Sequence, residues 1–192
     1  MKKNICLLLA ALFTLTVYAQ GRDTQTIPQG GKSLIVFYSW SGNSRTIATE
    51  LQALIGSDVV EITPTTPYTG NYNQMLDVAR QEITAIDNNR NYPAIKTTVN
   101  NINSYDTVFI IYPLWWSRMA TPMQTFLHNH SNQLRGKTLA LVCTSGSSGI
   151  SQTVADARRL CPDSTFTEAL HIRSSAINNA RNQLTAWLRS NS

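Results

Sequence analysis

Apolar residues recur with two periods along this chain of 192 residues, and the alternation between them sets the first expectation. The runs SLIVFY (33–38), DVVEI (58–62), DTVFIIY (106–112), TLALVC (138–143) and, more weakly, FTEALHI (166–172) have the length of strands. Three of them are nearly continuous, the pattern of a strand covered on both faces. Helical spacing fills the gaps. Residues 44–55 set Ile47, Leu51, Leu54 and Ile55 on one face, and residues 72–86 do the same with Met75, Val78, Ala79, Ile83 and Ile86. Further helical patterns cover 122–128, 150–160 and 177–189, the last with Ala180, Leu184, Trp187 and Leu188 facing inward. Five β/α repeats predict a single α/β domain with a parallel, doubly wound sheet and right-handed crossovers.

Two regions stand outside that rhythm. Residues 63–105 exceed what a crossover needs, so the stretches TPTTPYTGNYN and NNRNYPAIK are expected to run as ordered excursions. At the amino end, Lys2 and Lys3 precede an apolar run from Ile5 to Tyr18, and Val17-Tyr18-Ala19 places small residues where a signal peptidase reads. The run is shorter than the roughly 20 residues of a membrane span. Residues 1–19 therefore read as a secretory signal cleaved after Ala19. No cysteine follows it for lipid attachment and no arginine pair precedes it, which predicts export of an unfolded chain. Residues 20–31, rich in Gly and polar groups, read as a flexible leader, leaving 32–192 as the domain.

Loss of Lys2 and Lys3 lowers the formal charge from +5 to +3. The remaining cations are dispersed, without the run that marks a nucleic-acid footprint. The mature part keeps Cys143 and Cys161. One ends a predicted strand and the other ends the helix returning along it. A helix of that length separates them by roughly 16 Å at 1.5 Å per residue, beyond the span of a disulfide. Both are expected to be buried thiols.

In a doubly wound sheet, ligands bind beyond the carboxyl ends of the strands. Three loops fall there: SWSGNSR after the first strand, PLWWSRM after the third and TSGSSG after the fourth. In the first, a helix begins at Asn43 or Ser44 and presents free N–H groups and a positive dipole end, which suits a phosphate. Ser39, Ser41 and Ser44 offer hydroxyl protons, Asn43 offers an amide, and Gly42 lets the backbone turn close to a ligand. Helix capping needs only one of these residues. The loop is neither GxxxxGK nor GxGxxG. In the second loop Trp115 and Trp116 follow Pro113, and one indole can stack on a flat ring while its neighbour points into the protein. The third loop, Ser145 to Gly149, has no bulk and lets backbone amides approach a ligand. Tyr72 stands where it could cover the site from the side.

The loops SWSGNS, PLWW and TSGSSG, in this order on alternating strands, resemble the flavodoxin family, in its bacterial branch with Ser-x-Ser-Gly-Asn-Thr/Ser and Pro-x-Trp-Trp loops. The resemblance runs from about Lys32 to Leu188. It implies a flavodoxin-like three-layer α/β/α sandwich, a five-stranded parallel sheet in the order 2-1-3-4-5, and FMN held without a covalent bond. It places the phosphate on Ser39, Trp40, Ser41, Gly42, Asn43 and Ser44. The isoalloxazine would lie between Pro113, Leu114, Trp115, Trp116 and Ser117 on one side and Thr144, Ser145, Gly146, Ser147 and Gly149 on the other. Ser117-Arg118-Met119-Ala120 departs from the small residues relatives carry there, leaving Arg118 either facing the ring or a substrate anion, or on the surface.

Other chemistries find less support. His128, His130 and His171 lack metal-like Cys or Asp partners, and TSGSSG lacks the glycines of a nucleophile elbow. A bound flavin would carry the redox chemistry. The expected role is electron transfer to a partner protein or a small acceptor. The alternatives are an NAD(P)H-dependent quinone or flavin reductase, and a non-redox domain that binds another phosphorylated ligand. Electron-carrying flavodoxins tend to be strongly acidic, whereas +3 points away from a basic partner. No segment reads as a nicotinamide-binding domain.

Overall fold

The computed structural model describes residues 26–27 and 30–192; the stretch read as a secretory signal and most of the expected leader lie outside the described residues. Strands β1 (Ser33–Phe37), β2 (Asp58–Glu61), β3 (Thr107–Trp115) and β5 (Thr138–Ser145) lie parallel in the order β2-β1-β3-β5. The last position is shared by two short strands, β6 (Thr165–Phe166) and β7 (Leu170–Arg173), both parallel to β5. This is the expected 2-1-3-4-5 order with its fifth strand divided. The division has a local cause: Glu168 gives its N–H to Asn191 Oδ1 and its carbonyl accepts from Trp187 Nε1, so the carboxyl-terminal helix draws this residue out of the ladder.

Helices α1 (Asn43–Ile55), α2 (Tyr72–Asn89), α3 (Thr121–Leu134), α4 (Ser151–Leu160) and α5 (Ala180–Ser190) cover the two faces. One core layer joins Val36, Met75, Ile110, Phe126 and Leu141; the other joins Ile35, Ile47, Leu51, Phe109, Ile172 and Leu184. Helix α3 runs six residues past the predicted end because Leu134 is buried, while His128 to Asn132 form its wetter side. In α2, Met75, Ala79 and Ile86 face the core as expected, but Val78 is exposed. Residues 63–71 and 91–97 pair with one another: Thr65 N–H donates to Ala94 O and Lys96 N–H to Thr63 O, at 2.9 and 2.8 Å. The two excursions thus satisfy each other's backbone groups.

Ile27, within the predicted leader, donates its N–H to Asn191 O at 2.6 Å and packs against the second core layer. Cys143 and Cys161 are free and buried, and burial pushes both thiols up to about 12. Among the described residues no helix is long and apolar enough to cross a membrane.

Candidate functional site

Register brings the three loops to one edge of the sheet. Phe37 lies beside Ile111 and Pro113 beside Thr144, so β1, β3 and β5 end next to one another. At the end of β1 the chain turns through Gly42, whose φ of 96° favours a residue without a Cβ. Gly42 N–H donates to Ser39 Oγ at 3.1 Å, which closes the loop and leaves that hydroxyl's own proton free. The first bond of α1 runs from Thr46 N–H to Gly42 O. The N–H groups of Asn43, Ser44 and Arg45 precede it, and no side chain caps them. The first turn holds no acidic residue.

One atom there stands out. Ser44 is buried, yet its Oγ has no hydrogen-bond partner among the described residues. A buried hydroxyl without a partner costs roughly 1–3 kcal/mol, and an anion at the helix end would supply its acceptor. A Cβ added at Gly42, Gly146 or Gly149 would meet nothing within 4 Å, so the space over these loops is open. Arg45 turns away from the loop and pairs with Glu61 at the end of β2.

In β3 the chain does not leave the sheet at Tyr112 as the apolar run suggests. It continues to Trp115, turns, and returns as β4 (Arg118–Met119), pairing Leu114 with Met119 and Trp115 with Arg118. The two turn residues, Trp116 and Ser117, have φ values of 52° and 61°. A two-residue hairpin of type I′ has positive φ at both central positions, usually met by Asn-Gly. Non-glycine residues held there carry strain of about 1–3 kcal/mol each, a device that clusters at functional sites.

The hairpin separates the tryptophans. Trp115 is only 3% exposed and packs edge-on against Tyr38 and Tyr68, with ring centroids 5.5 and 4.9 Å away. Its indole is therefore core, which removes it from the expected ring-facing set. Trp116 is 45% exposed; its Nε1–H donates to Leu76 O at 2.9 Å, and the Arg80 guanidinium lies 3.7 Å from the centre of its ring. Arg118 takes neither expected orientation. It forms a two-pronged bond to Asp87 at 2.9 and 3.0 Å, while its Nε meets the buried Asp156. These bonds tie the hairpin to α2 and α4 and hold the Asp87 carboxyl below its usual range.

Between this hairpin and the loop after β5 lies a cleft of about 350 Å³, walled by Tyr72, Leu76, Leu114, Trp116, Ser117 and Ser145 to Ser148. Among the described residues no charged side chain lines it. Of the expected ring-binding residues, Leu114, Trp116, Ser117, Ser145, Gly146 and Ser147 line this cleft, whereas Thr144 is buried in β5. A smaller hollow of about 230 Å³ beside the first loop is walled by Ser39, Trp40, Ile62, Pro64 and Tyr68, among others. Trp40 borders it, donating Nε1–H to Thr69 O and packing its ring 5.9 Å from that of Tyr72. Tyr72, 59% exposed, thus stands between the first loop and the cleft. Another hollow, of about 380 Å³, opens near Ser33 and Thr107, where β1 and β3 begin, far from all three loops.

Sequence reasoning missed Leu76, Arg80 and His171. The first two follow Tyr72 at steps of four on α2, a stripe that the helical period could have revealed. His171 had no such signal. It reaches the site from β7, its Nε2 lying 2.8 Å from Ser145 Oγ, while that hydroxyl donates to Ser148 O at 3.1 Å. The hydroxyl proton is thus directed away from the imidazole, and among the described residues no carboxylate meets His171. The pair is no hydrolytic nucleophile and base.

Burial first, and the nearby Arg173 charge second, hold the His171 pKa below the ordinary histidine value. A native state that binds this proton less tightly than the unfolded chain has its full stability above the unfolded pKa of about 6.5 and loses it as pH falls through that value toward the folded one. Urea unfolding is expected to show lower stability at pH 5 than at pH 7, with a smaller difference in His171→Gln. Equal differences in both proteins would remove His171 from the account.

Known proteins share this fold. A family profile described as flavodoxin matches residues 32–191. The structure of a protein from Bacteroides eggerthii assigned as a flavoprotein is 30% identical, covering 84% of this chain and 98% of that one, with a TM-score of 0.71. A flavoprotein of Lactobacillus acidophilus solved in complex with FMN is 24% identical over 78% of this chain and 97% of that one, with a TM-score of 0.64. A Bacteroides uniformis protein assigned as a flavoprotein is 23% identical over 82% and 99% of the two chains, with a TM-score of 0.67. Among curated proteins, none matches.

Proposed function

This chain belongs to the flavodoxin family, and from that premise we propose that it is an exported FMN-binding electron carrier. The observation that carries the reading is the junction of two features at one sheet edge. An uncapped helix start holds a buried, unpartnered Ser44 hydroxyl, and an uncharged aromatic-walled cleft opens beside it. The first suits a phosphate dianion and the second a flat ring. The family membership, and the FMN held by the Lactobacillus acidophilus protein, support the same ligand.

FMN, when bound, supplies one- and two-electron chemistry. The protein's part is to hold and shield it. Ser41, Asn43 and Ser44, with the free N–H groups of α1, would hold the phosphate by hydrogen bonds. Trp116 offers one ring face, its own far side stabilised by Arg80. Ser145 to Ser148 line the cleft and would bring backbone groups to the ring. Tyr72 and Trp116, both exposed, leave a contact surface through which an electron can pass to a partner.

Arg80 lies over the Trp116 ring and Arg173 stands in register with Ser145, each beside a residue of the cleft wall, and neither forms an ion pair among the described residues. A partner or small acceptor with negative charge fits this rim better than a basic one. Export follows from the pattern of Met1 to Ala19, and sequencing the amino terminus of secreted material tests it.

Titrating the mature domain with FMN is expected to quench flavin fluorescence at one equivalent, without steady NAD(P)H oxidation in the presence of a quinone. The double variant Ser41→Ala, Asn43→Ala should bind FMN far more weakly, since each hydrogen bond to a charged group is worth about 1–3 kcal/mol. A double variant that binds like the parent would overturn the phosphate assignment. Sustained NAD(P)H turnover would replace the carrier with a reductase.

A further inference from the structure

We propose that His171 is a positioning residue for the ring-binding loop, acting through Ser145 on the shape and polarity of the cleft wall. This rests on the FMN reading above. Ser145 is nearly buried at the end of β5, and its hydroxyl holds two partners at once: it donates to Ser148 O at 3.1 Å and lies 2.8 Å from His171 Nε2. A hydroxyl has a single proton. With that proton committed to Ser148 O, the imidazole supplies the other, so Nε2 carries hydrogen and Ser145 Oγ accepts it. The order is His171 Nε2–H to Ser145 Oγ–H to Ser148 carbonyl.

That relay closes the turn Ser145-Gly146-Ser147-Ser148 onto itself. Its consequence for the cleft is direct, because all four residues line the wall. Gly146 and the open space over it leave the turn few side-chain contacts of its own, so the bond from β7 takes their place. It also occupies the Ser148 carbonyl with an internal donor. The backbone N–H groups of the turn, rather than a carbonyl oxygen, are then left for the ring. Donors at that edge favour the more negative, reduced form of a flavin over the oxidised one.

The wall that would receive the cofactor thus has its geometry set 26 residues downstream. Removing His171 frees Ser145 Oγ to rotate and releases the turn.

The test is a double-mutant cycle on the mature, FMN-loaded protein, with His171→Leu, Ser145→Ala and the double variant. Each single change is expected to weaken FMN binding roughly three- to tenfold and to move the flavin midpoint potential downward, because the reduced form loses more than the oxidised. The double variant should lose no more than the larger single loss, the signature of two residues acting as one unit. His171→Gln, which restores an N–H donor, should recover most of both losses. In the ligand-free protein, nitrogen-15 shifts should place the imidazole proton on Nε2, with a change at that nitrogen in Ser145→Ala.

Ser145→Ala removes a single oxygen and carries the test should His171→Leu fail to fold. Losses that add in full, or a parent imidazole protonated on Nδ1 alone, overturn the proposal. So does FMN binding at parental affinity and potential in both single variants. A parent that binds no FMN overturns the functional reading as well, and so separates the two failures.

Discussion

Replacing Arg118 by methionine is expected to lower folding stability by about 3–5 kcal/mol, read as a fall in the urea midpoint. Arg118 is 15% exposed and Asp156 2% exposed, and their bond joins the β4 hairpin to α4. Methionine fills much of the arginine stem but leaves the Asp156 carboxylate buried, with only Arg159, among the described residues, at 3.5 Å to answer it. An uncompensated buried charge, rather than the lost attraction, sets the magnitude. Asp87 adds little, being 44% exposed and screened by water. The double variant Arg118→Met, Asp156→Leu should therefore be more stable than Arg118→Met alone. A single variant within 1 kcal/mol of the parent would show that the pair carries no such load.

The paired tryptophans should part company just as sharply. Trp115→Ala is expected to cost about 3–5 kcal/mol of stability, because a large ring disappears from between Tyr38 and Tyr68 and the cavity cannot fully close. Trp116→Ala should cost less than about 1 kcal/mol of stability, its ring being half in solvent. It should instead weaken FMN binding about tenfold through the lost ring contact. Urea unfolding and FMN titration on the same two variants decide it. Equal effects on both measurements would mean that the hairpin does not separate the two rings as described.

The reasons for that division lie in the turn. Adjacent side chains in a strand face opposite ways, so a Trp-Trp pair must send one ring in and one out. Which goes where depends on where the strand stops. Tyr112 ended the apolar run, yet pairing with Arg118–Met119 carried β3 to Trp115 and placed the positive-φ turn at Trp116–Ser117. No local pattern announces an antiparallel return of two residues built on a tryptophan and a serine.

Arg118 makes the same point from charge. Read in isolation, a basic residue after a paired-tryptophan loop invites a ligand. Its true partners lie 31 residues before it and 38 after it. Their meeting follows from helices α2 and α4 flanking the hairpin. The tyrosines behave alike. Burial foremost raises the pKa of Tyr38 and Tyr68, so Tyr68 stays protonated and donates to Glu82.

What could be read from one dimension had a short range: the periods of the main strands and helices, the parallel layering, the Gly42 turn and the three loops at the strand ends. Those depend on steric and solvation preferences of neighbours a few residues apart. The inward tryptophan, the locked arginine, the split last strand and the His171–Ser145 contact arose only when separate elements packed. Each is a choice of partner across tens of residues, made by register and burial, and a linear pattern carries no term for it.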